Sequence, residues 1–347
     1  MGFGSCGDLG AVFGAKWGVM KNWLIGGVAA LAMAMVGCSA PAAGGGETPD
    51  PAKEGEAKKF KIAVSIPTAT HGWTAGVVDW AEKAKEKFAG DAEITIYASE
   101  SVDDQADKLG TLATQGYDGL VILSFDPAAV TPAVKMNRDS FGYIVSVDRG
   151  LAEPIADVWM RGDNMKFGSE AAKFMSEKLG GKGNILVLRG MAGPVDEDRV
   201  KGFEEVMKGF PDIKILAMQP GDWNQDKAFT VTQNLLLKHK DVDAIWAADD
   251  DMALGAEKAL TEAGLSDVWL VGGGGSKVVV KRVMDGDKMF PATVTYSPKM
   301  IELAIERMVM DLKAGKKPSG TQVDEVLPVD LVLPANAKDH YFEDSVY

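Results

Sequence analysis

The chain has 347 residues, with 37 Lys and Arg against 50 Asp and Glu and a formal net charge of −13. That acidic balance argues against a nucleic-acid surface, which would be basic, and the length is enough for two lobes with separate cores. Both cysteines, Cys6 and Cys38, lie near the start, and His71, His239 and His340 lack ligand spacing. Disulfides, cysteine nucleophiles and a histidine zinc site are thereby set aside, and no cofactor or metal is expected.

The first element in chain order is a leader. Met20-Lys21-Asn22 precedes an uncharged apolar stretch from Trp23 to Val36, which ends in Gly37-Cys38-Ser39. A positive start, an apolar core of about 7–15 residues and a small residue at the cut describe a secretory signal, whereas a membrane span needs about 20. Residues 1–37 are therefore expected to be a signal peptide, with Met20 the better start. The cysteine after Gly37 resembles the lipobox of bacterial lipoproteins, which implies an acylated Cys38 at the head of an exported, membrane-tied protein. Residues 38–58 begin Cys38-Ser39-Ala40-Pro41 and run into Gly44-Gly45-Gly46, a composition expected of a flexible tether.

From Lys59 onward, short apolar runs alternate with amphipathic stretches. Strands are expected at 62–66, 94–98, 120–124, 144–148, 185–188, 213–218, 244–247 and 269–272, all rich in Val and Ile. Helices are expected at 75–88, 103–114, 127–136, 168–179, 198–209, 226–238, 252–263 and 277–284. Asp126-Pro127 reads as a cap followed by a first-turn proline, and Ser101 with Asp104 resembles a capping box. Continuous strands alternating with helices predict an α/β fold with parallel sheets covered on both faces. The pattern nearly restarts at Asn184, which predicts two similar doubly wound lobes.

In such sheets a ligand crevice lies beyond the carboxyl ends of the strands. The segments leaving those ends include Thr70-His71-Gly72-Trp73, Asp148-Arg149, 190–199, Gly221-Asp222-Trp223-Asn224, Asp249-Asp250-Asp251 and Gly273-Gly274-Gly275-Ser276. Aromatics, carboxylates and arginine recur there, with no nucleophile beside a base. This set suits a neutral polyhydroxylated ligand: carboxylates accept from hydroxyls, guanidinium forks donate, and indoles cover a sugar's C–H face.

The same residues resemble the class I periplasmic sugar-binding proteins of the ribose-binding cluster, which share a core with LacI-type repressors. The resemblance runs from about Lys61 to Leu333. It is carried by Val145-Ser146-Val147-Asp148-Arg149, Gly162-Asp163-Asn164, Arg199-Val200-Lys201-Gly202-Phe203, Gln233-Asn234-Leu235-Leu236, Asp249 to Gly255 and Pro328-Val329-Asp330-Leu331. It implies a type I periplasmic-binding-protein fold with a three-crossover hinge, one crossover near Asp163-Asn164. The implied lobes are 59–163 plus 296–322 and 164–295 plus 323–347. Asp148 and Arg149 would bind hydroxyls from the first lobe and Arg199 from the second, with Trp73 and Trp223 stacking and Asp249 accepting. Thr70, Asn164 and Tyr296 complete the expected site, and His71 reads equally as a ligand donor or a loop histidine. Thr70-His71-Gly72-Trp73, Gly274 and Tyr296 depart from the family pattern, so the resemblance carries over the ligand class but not the family's ribose as such.

Other readings of these motifs fail on order or spacing. Gly272–Gly275 followed by Ser276-Lys277 lacks the Gly-Lys-Ser/Thr order of a phosphate loop. The Asp249–Asp251 run lacks an EF-hand's spacing and distal Glu. Trp80, Trp159, Trp246 and Trp269 fall within helices or strands and are expected in the core. The resemblance implies a monomeric solute-binding component of an ABC importer, not an enzyme, with a permease as partner. The alternative is a sensing protein that hands its closed form to a chemoreceptor or sensor kinase.

Overall fold

The apolar runs form two parallel sheets, because strands covered on both faces need side chains that can be buried on both. The computed structural model describes residues 58–347. The leader, Cys38 and most of the expected tether lie outside the described residues. Strands β1 (Phe60–Pro67), β2 (Ala92–Ser99), β3 (Gly119–Leu123), β4 (Ile144–Val147) and β5 (Val158–Gly162) come first. Helices α1 (Gly72–Lys87), α2 (Val102–Leu112) and α3 (Pro127–Met136) lie between them. Then follow α4 (Asn164–Lys178), β6 (Lys182–Arg189), α5 (Pro194–Met207), β7 (Asp212–Pro220) and α6 (Gln225–Lys238). The chain continues through β8 (Ala244–Ala247), α7 (Asp250–Glu262), β9 (Trp269–Val271), α8 (Lys277–Met284) and β10 (Thr293–Val294). It ends with α9 (Met300–Lys313), β11 (Val323–Leu327) and β12 (Leu331–Val332).

One sheet has the order β2-β1-β3-β4-β5-β11 and the other β7-β6-β8-β9. All of these pairs are parallel. Each sheet places its second strand outside its first, which is the doubly wound order. Isolated bridges from Val271 to Ala292 and from Gly274 to Thr295 bring β10 alongside β9, and β10 pairs antiparallel with β12.

The chain passes between the sheets at 162–164, near 295–300 and at 327–331. Two backbone bonds tie these passages together: Asp163 N donates to Leu327 O at 3.2 Å and Thr295 N to Asp330 O at 2.9 Å. One expected boundary is corrected here. The segment 323–347, expected in the second lobe, divides: 323–327 pair with β5 across Val323–Val158 to Leu327–Gly162. The half-polar sequence Val-Asp-Glu-Val-Leu has no continuous apolar run, so its strand identity comes from the partner backbone.

Local signals position several elements. Asp126 Oδ1 accepts from Ala129 N at 2.8 Å and Pro127 opens α3. Ser101 Oγ accepts from Asp104 N at 3.2 Å, but Asp104 reaches back to Glu100 N at 2.9 Å rather than to the cap residue itself. The expected box is therefore only half formed. Helices α4 and α5 touch through glycines: a Cβ at Gly168 would stand 1.9 Å from Arg199 O, and one at Gly202 would stand 2.1 Å from Met165 O. Only glycine permits that approach, and the approach carries Arg199 over to the first residue of α4. In the second sheet's core Phe203 stacks on the fully buried Trp246 with ring centroids 4.0 Å apart. Trp80, Trp159 and Trp269 are only partly buried.

Candidate functional site

Segments leaving the carboxyl ends of both sheets converge on one cavity lined by aromatic, acidic and guanidinium side chains. From the side of the first sheet, His71 and Trp73 come from the entry to α1 and Asp148 and Arg149 from the end of β4. From the other side, Val195 and Arg199 come from α5, Trp223 from the turn after β7, and Asp249 caps α7. Gly274, Tyr296 and Tyr347 close the remaining wall.

The polar groups are held in a continuous network. The Tyr296 hydroxyl donates to Asp148 Oδ1 at 2.6 Å and accepts from Asn164 Nδ2 at 3.3 Å. Arg199 Nε donates to Asn164 Oδ1 at 2.9 Å, and its Nη1 donates to Ala248 O at 2.6 Å. The guanidinium lies 3.9 Å from the Phe167 ring centre and 4.3 Å from that of Tyr296, with Trp223 at 5.4 Å. Three aromatic faces and two fixed acceptors leave this buried arginine little freedom, while its second terminal nitrogen makes no protein bond among the described residues.

Arg149 Nη1 donates to Phe125 O at 2.7 Å and stays within 3.8 Å of Asp148. The Trp159 indole donates to Asp148 O at 3.0 Å, so a tryptophan expected only in the core helps set the strand-end turn. Asp148 adopts φ 55° and Trp223 φ 57°. Left-handed backbone is costly for a bulky side chain and is found where the surroundings over-determine it. For Trp223 the surroundings include Gly190, where a Cβ would stand 1.8 Å from the indole. The Trp73 indole N–H is committed to Tyr296 O at 2.8 Å, so this residue offers the cavity its ring.

Burial shapes the acids. It pushes the Asp249 carboxyl well above the usual carboxylate range, with Asp251 and Asp250 adding to the rise and Met252 N and Arg199 opposing it. Burial also raises Asp250 to about 7, although Ser276 N and Thr293 Oγ1 bind its carboxylate at 2.7 and 2.8 Å. Asp250 thus braces the β9 loop. Asp249 faces the cavity, with its Oδ1 taken by Met252 N at 2.7 Å. The Tyr296 phenol is pushed far up by burial and then by the charge of Asp148, so it remains a donor.

Eight of the ten expected residues line this cavity: His71, Trp73, Asp148, Arg149, Arg199, Trp223, Asp249 and Tyr296. Thr70 and Asn164 do not. Thr70 N is turned to Thr74 Oγ1 at 3.0 Å, within the first turn of α1. Asn164 is buried behind Arg199 and Tyr296, where it orients both. Val195 and Tyr347 were not expected. Val195 follows the α5 entry that reading 190–199 as a strand-end segment already marked, whereas no local signal marked Tyr347.

Two sheets meeting over one polar and aromatic cavity define a two-lobed binding protein, with no nucleophile–base pair among the described cavity residues. Residues 62–317 match the family described as periplasmic binding protein domain, and the chain belongs to that family. It is 31% identical to the ribose import binding protein of Escherichia coli over 79% of this chain and 90% of that one. It is also 31% identical to the xylitol-binding protein of Mycolicibacterium smegmatis, over 70% and 68% of the two chains. Among solved structures it resembles an ABC transporter solute-binding protein from Mycobacterium smegmatis with bound glycerol. That likeness has a TM-score of 0.74 at 29% identity and covers 83% of this chain and 99% of the other. The chain is an exported solute-binding protein and not an enzyme.

Proposed function

We propose that this chain is the monomeric substrate-binding component of an ABC importer and captures a neutral monosaccharide or polyol between its lobes. The observation that carries this reading is the cavity itself. Asp148 and Arg149 come from one sheet and Arg199, Trp223 and Asp249 from the other, so a full ligand shell exists only when both sheets face each other. A ligand that contacts both faces binds the closed arrangement better than an open one and shifts the population toward it. The three passages at 162–164, 295–300 and 327–331 serve as the hinge, and the closed form is what the permease recognises. The ribose and xylitol relatives support a polyhydroxylated ligand, and the import role in the ribose relative's name favours transport over sensing.

A thermal-shift panel of D-ribose, xylitol, D-allose, glycerol and myo-inositol tests the ligand class. A member at 100 times its Kd stabilises by about 2.7 kcal/mol, expected as a rise in Tm of about 4 °C. A panel in which no neutral sugar or polyol moves the Tm sinks the reading.

The protein is further proposed to be held at the membrane by a lipid on Cys38, with residues 38–58 as the tether. The small residue before the cysteine and the Gly-rich run behind it motivate this. Cys38→Ser is expected to move the protein to the soluble fraction with sugar affinity unchanged. Continued sedimentation of the variant with membranes would remove the anchor.

A further inference from the structure

Tyr347 is far from the other cavity residues in sequence, yet it is buried and lines the cavity. Its hydroxyl has no hydrogen-bond partner among the described residues, and neither ring nitrogen of His71 has one. A buried phenol without a partner is costly unless something else satisfies it. The slot for the ring is made by glycines from two separate elements. A Cβ at Gly72 would stand 2.9 Å from Tyr347 Cδ2, and one at Gly76 would stand 3.0 Å from its Cβ. At Gly274, with φ +116°, a Cβ would stand 2.2 Å from the hydroxyl oxygen. The phenol therefore occupies the space that a side chain following β9 would otherwise take.

The segment carrying Tyr347 is held from both sides of the cleft. Lys83 of α1 donates to Asp344 O at 2.7 Å and Lys277 of α8 donates to Glu343 O at 3.2 Å. Phe342 packs edge-on against Trp80 at 6.2 Å, and Ser345 is buried with its Oγ bound by Tyr347 N at 3.2 Å. Burial, followed by the charges of Asp250 and Asp251, pushes the phenol well above its usual range, so it stays a donor at neutral pH.

We propose that Tyr347 is a specificity-determining ligand contact, whose hydroxyl binds one hydroxyl at the Gly274 end of the sugar or polyol, in the cavity that His71 also lines. The ring also sets the length of ligand that the cavity admits at that end. This inference rests on the sugar-binding reading above. Calorimetry on the full chain with the five panel compounds separates the two. Tyr347→Phe is expected to weaken at least one bound compound about fivefold or more and to change the order of preference, while the ligand-free Tm stays level or rises. Tyr347→Ala is expected to shift preference toward the larger members, D-allose and myo-inositol. If the wild type binds panel members and Tyr347→Phe leaves every affinity within twofold, Tyr347 is only a packing residue and the inference is overturned. If the wild type binds none of the five, the sugar-binding reading falls and takes this inference with it.

Discussion

Arg199→Ala is expected to lower affinity for the cognate sugar or polyol by about a hundredfold or more. The guanidinium is buried, and Asn164 and Ala248 O fix it on one edge while Phe167 and Tyr296 cover its faces. Its second terminal nitrogen makes no protein bond among the described residues and the residue lines the cavity, where hydrogen bonds from a charged donor are each worth about 1.5–3 kcal/mol. Two such bonds amount to at least about 3 kcal/mol, which is more than two decades in Kd. The variant also leaves Asp148 and Asp249 in one cavity without the second lobe's buried cation. Arg199→Lys is expected to recover little, since an ammonium cannot reproduce the planar fork or the stacking. The fold is expected to survive, because the α4–α5 contact is made by Gly168 and Gly202 and Phe203 remains stacked on Trp246. A change below threefold in the Kd of Arg199→Ala would show that Arg199 is structural.

The second large effect is expected from the two indoles. Trp73 and Trp223 reach the cavity from opposite sides, and each presents an apolar face suited to the C–H surface of a sugar ring. Removing either should weaken binding by on the order of 1.5–3 kcal/mol, the scale of burying one large apolar side chain. The two variants should differ in stability. Trp73 belongs to the core and its N–H holds Tyr296 O, so Trp73→Ala is expected to lower the Tm as well. Trp223 is only partly buried and adopts φ 57°, so Trp223→Ala should lower affinity with little cost to the fold. Ligand-induced change in tryptophan emission should nearly vanish in the double variant. Near wild-type affinity in that variant would mean that neither indole contacts the ligand.

Much of this architecture is legible without coordinates. Leu120–Leu123 and Ile185–Leu188 are uninterrupted apolar runs, and a run of that kind between turn residues suits a strand buried on both faces. Asp126-Pro127 marks the start of α3 through bonds made within four residues. Asp148-Arg149, Arg199, Trp223 and Asp249 are legible as cavity-lining residues because a doubly wound sheet sends its strand ends to one crevice. Helix α9 was also within reach, since Ile301, Ala304, Ile305, Met308 and Val309 recur at helical spacing.

What the sequence by itself determined, then, are the features set by neighbours along the chain: two rounds of βα units, their caps, and the polar groups at their strand ends. Tertiary structure alone decided that Val323–Leu327 is a strand, because its order comes from hydrogen bonds to β5 more than 150 positions away. It also decided that Asn164 stands behind Arg199 rather than in the cavity, since two helices must first meet through Gly168 and Gly202. The same holds for Tyr347. Its local sequence, Glu343-Asp344-Ser345-Val346-Tyr347, carries no strand or helix pattern, and only the empty space above Gly72, Gly76 and Gly274 turns it into a wall of the cavity. Propensity and capping act over one or two turns, whereas excluded volume between distant segments exists only once the chain has folded.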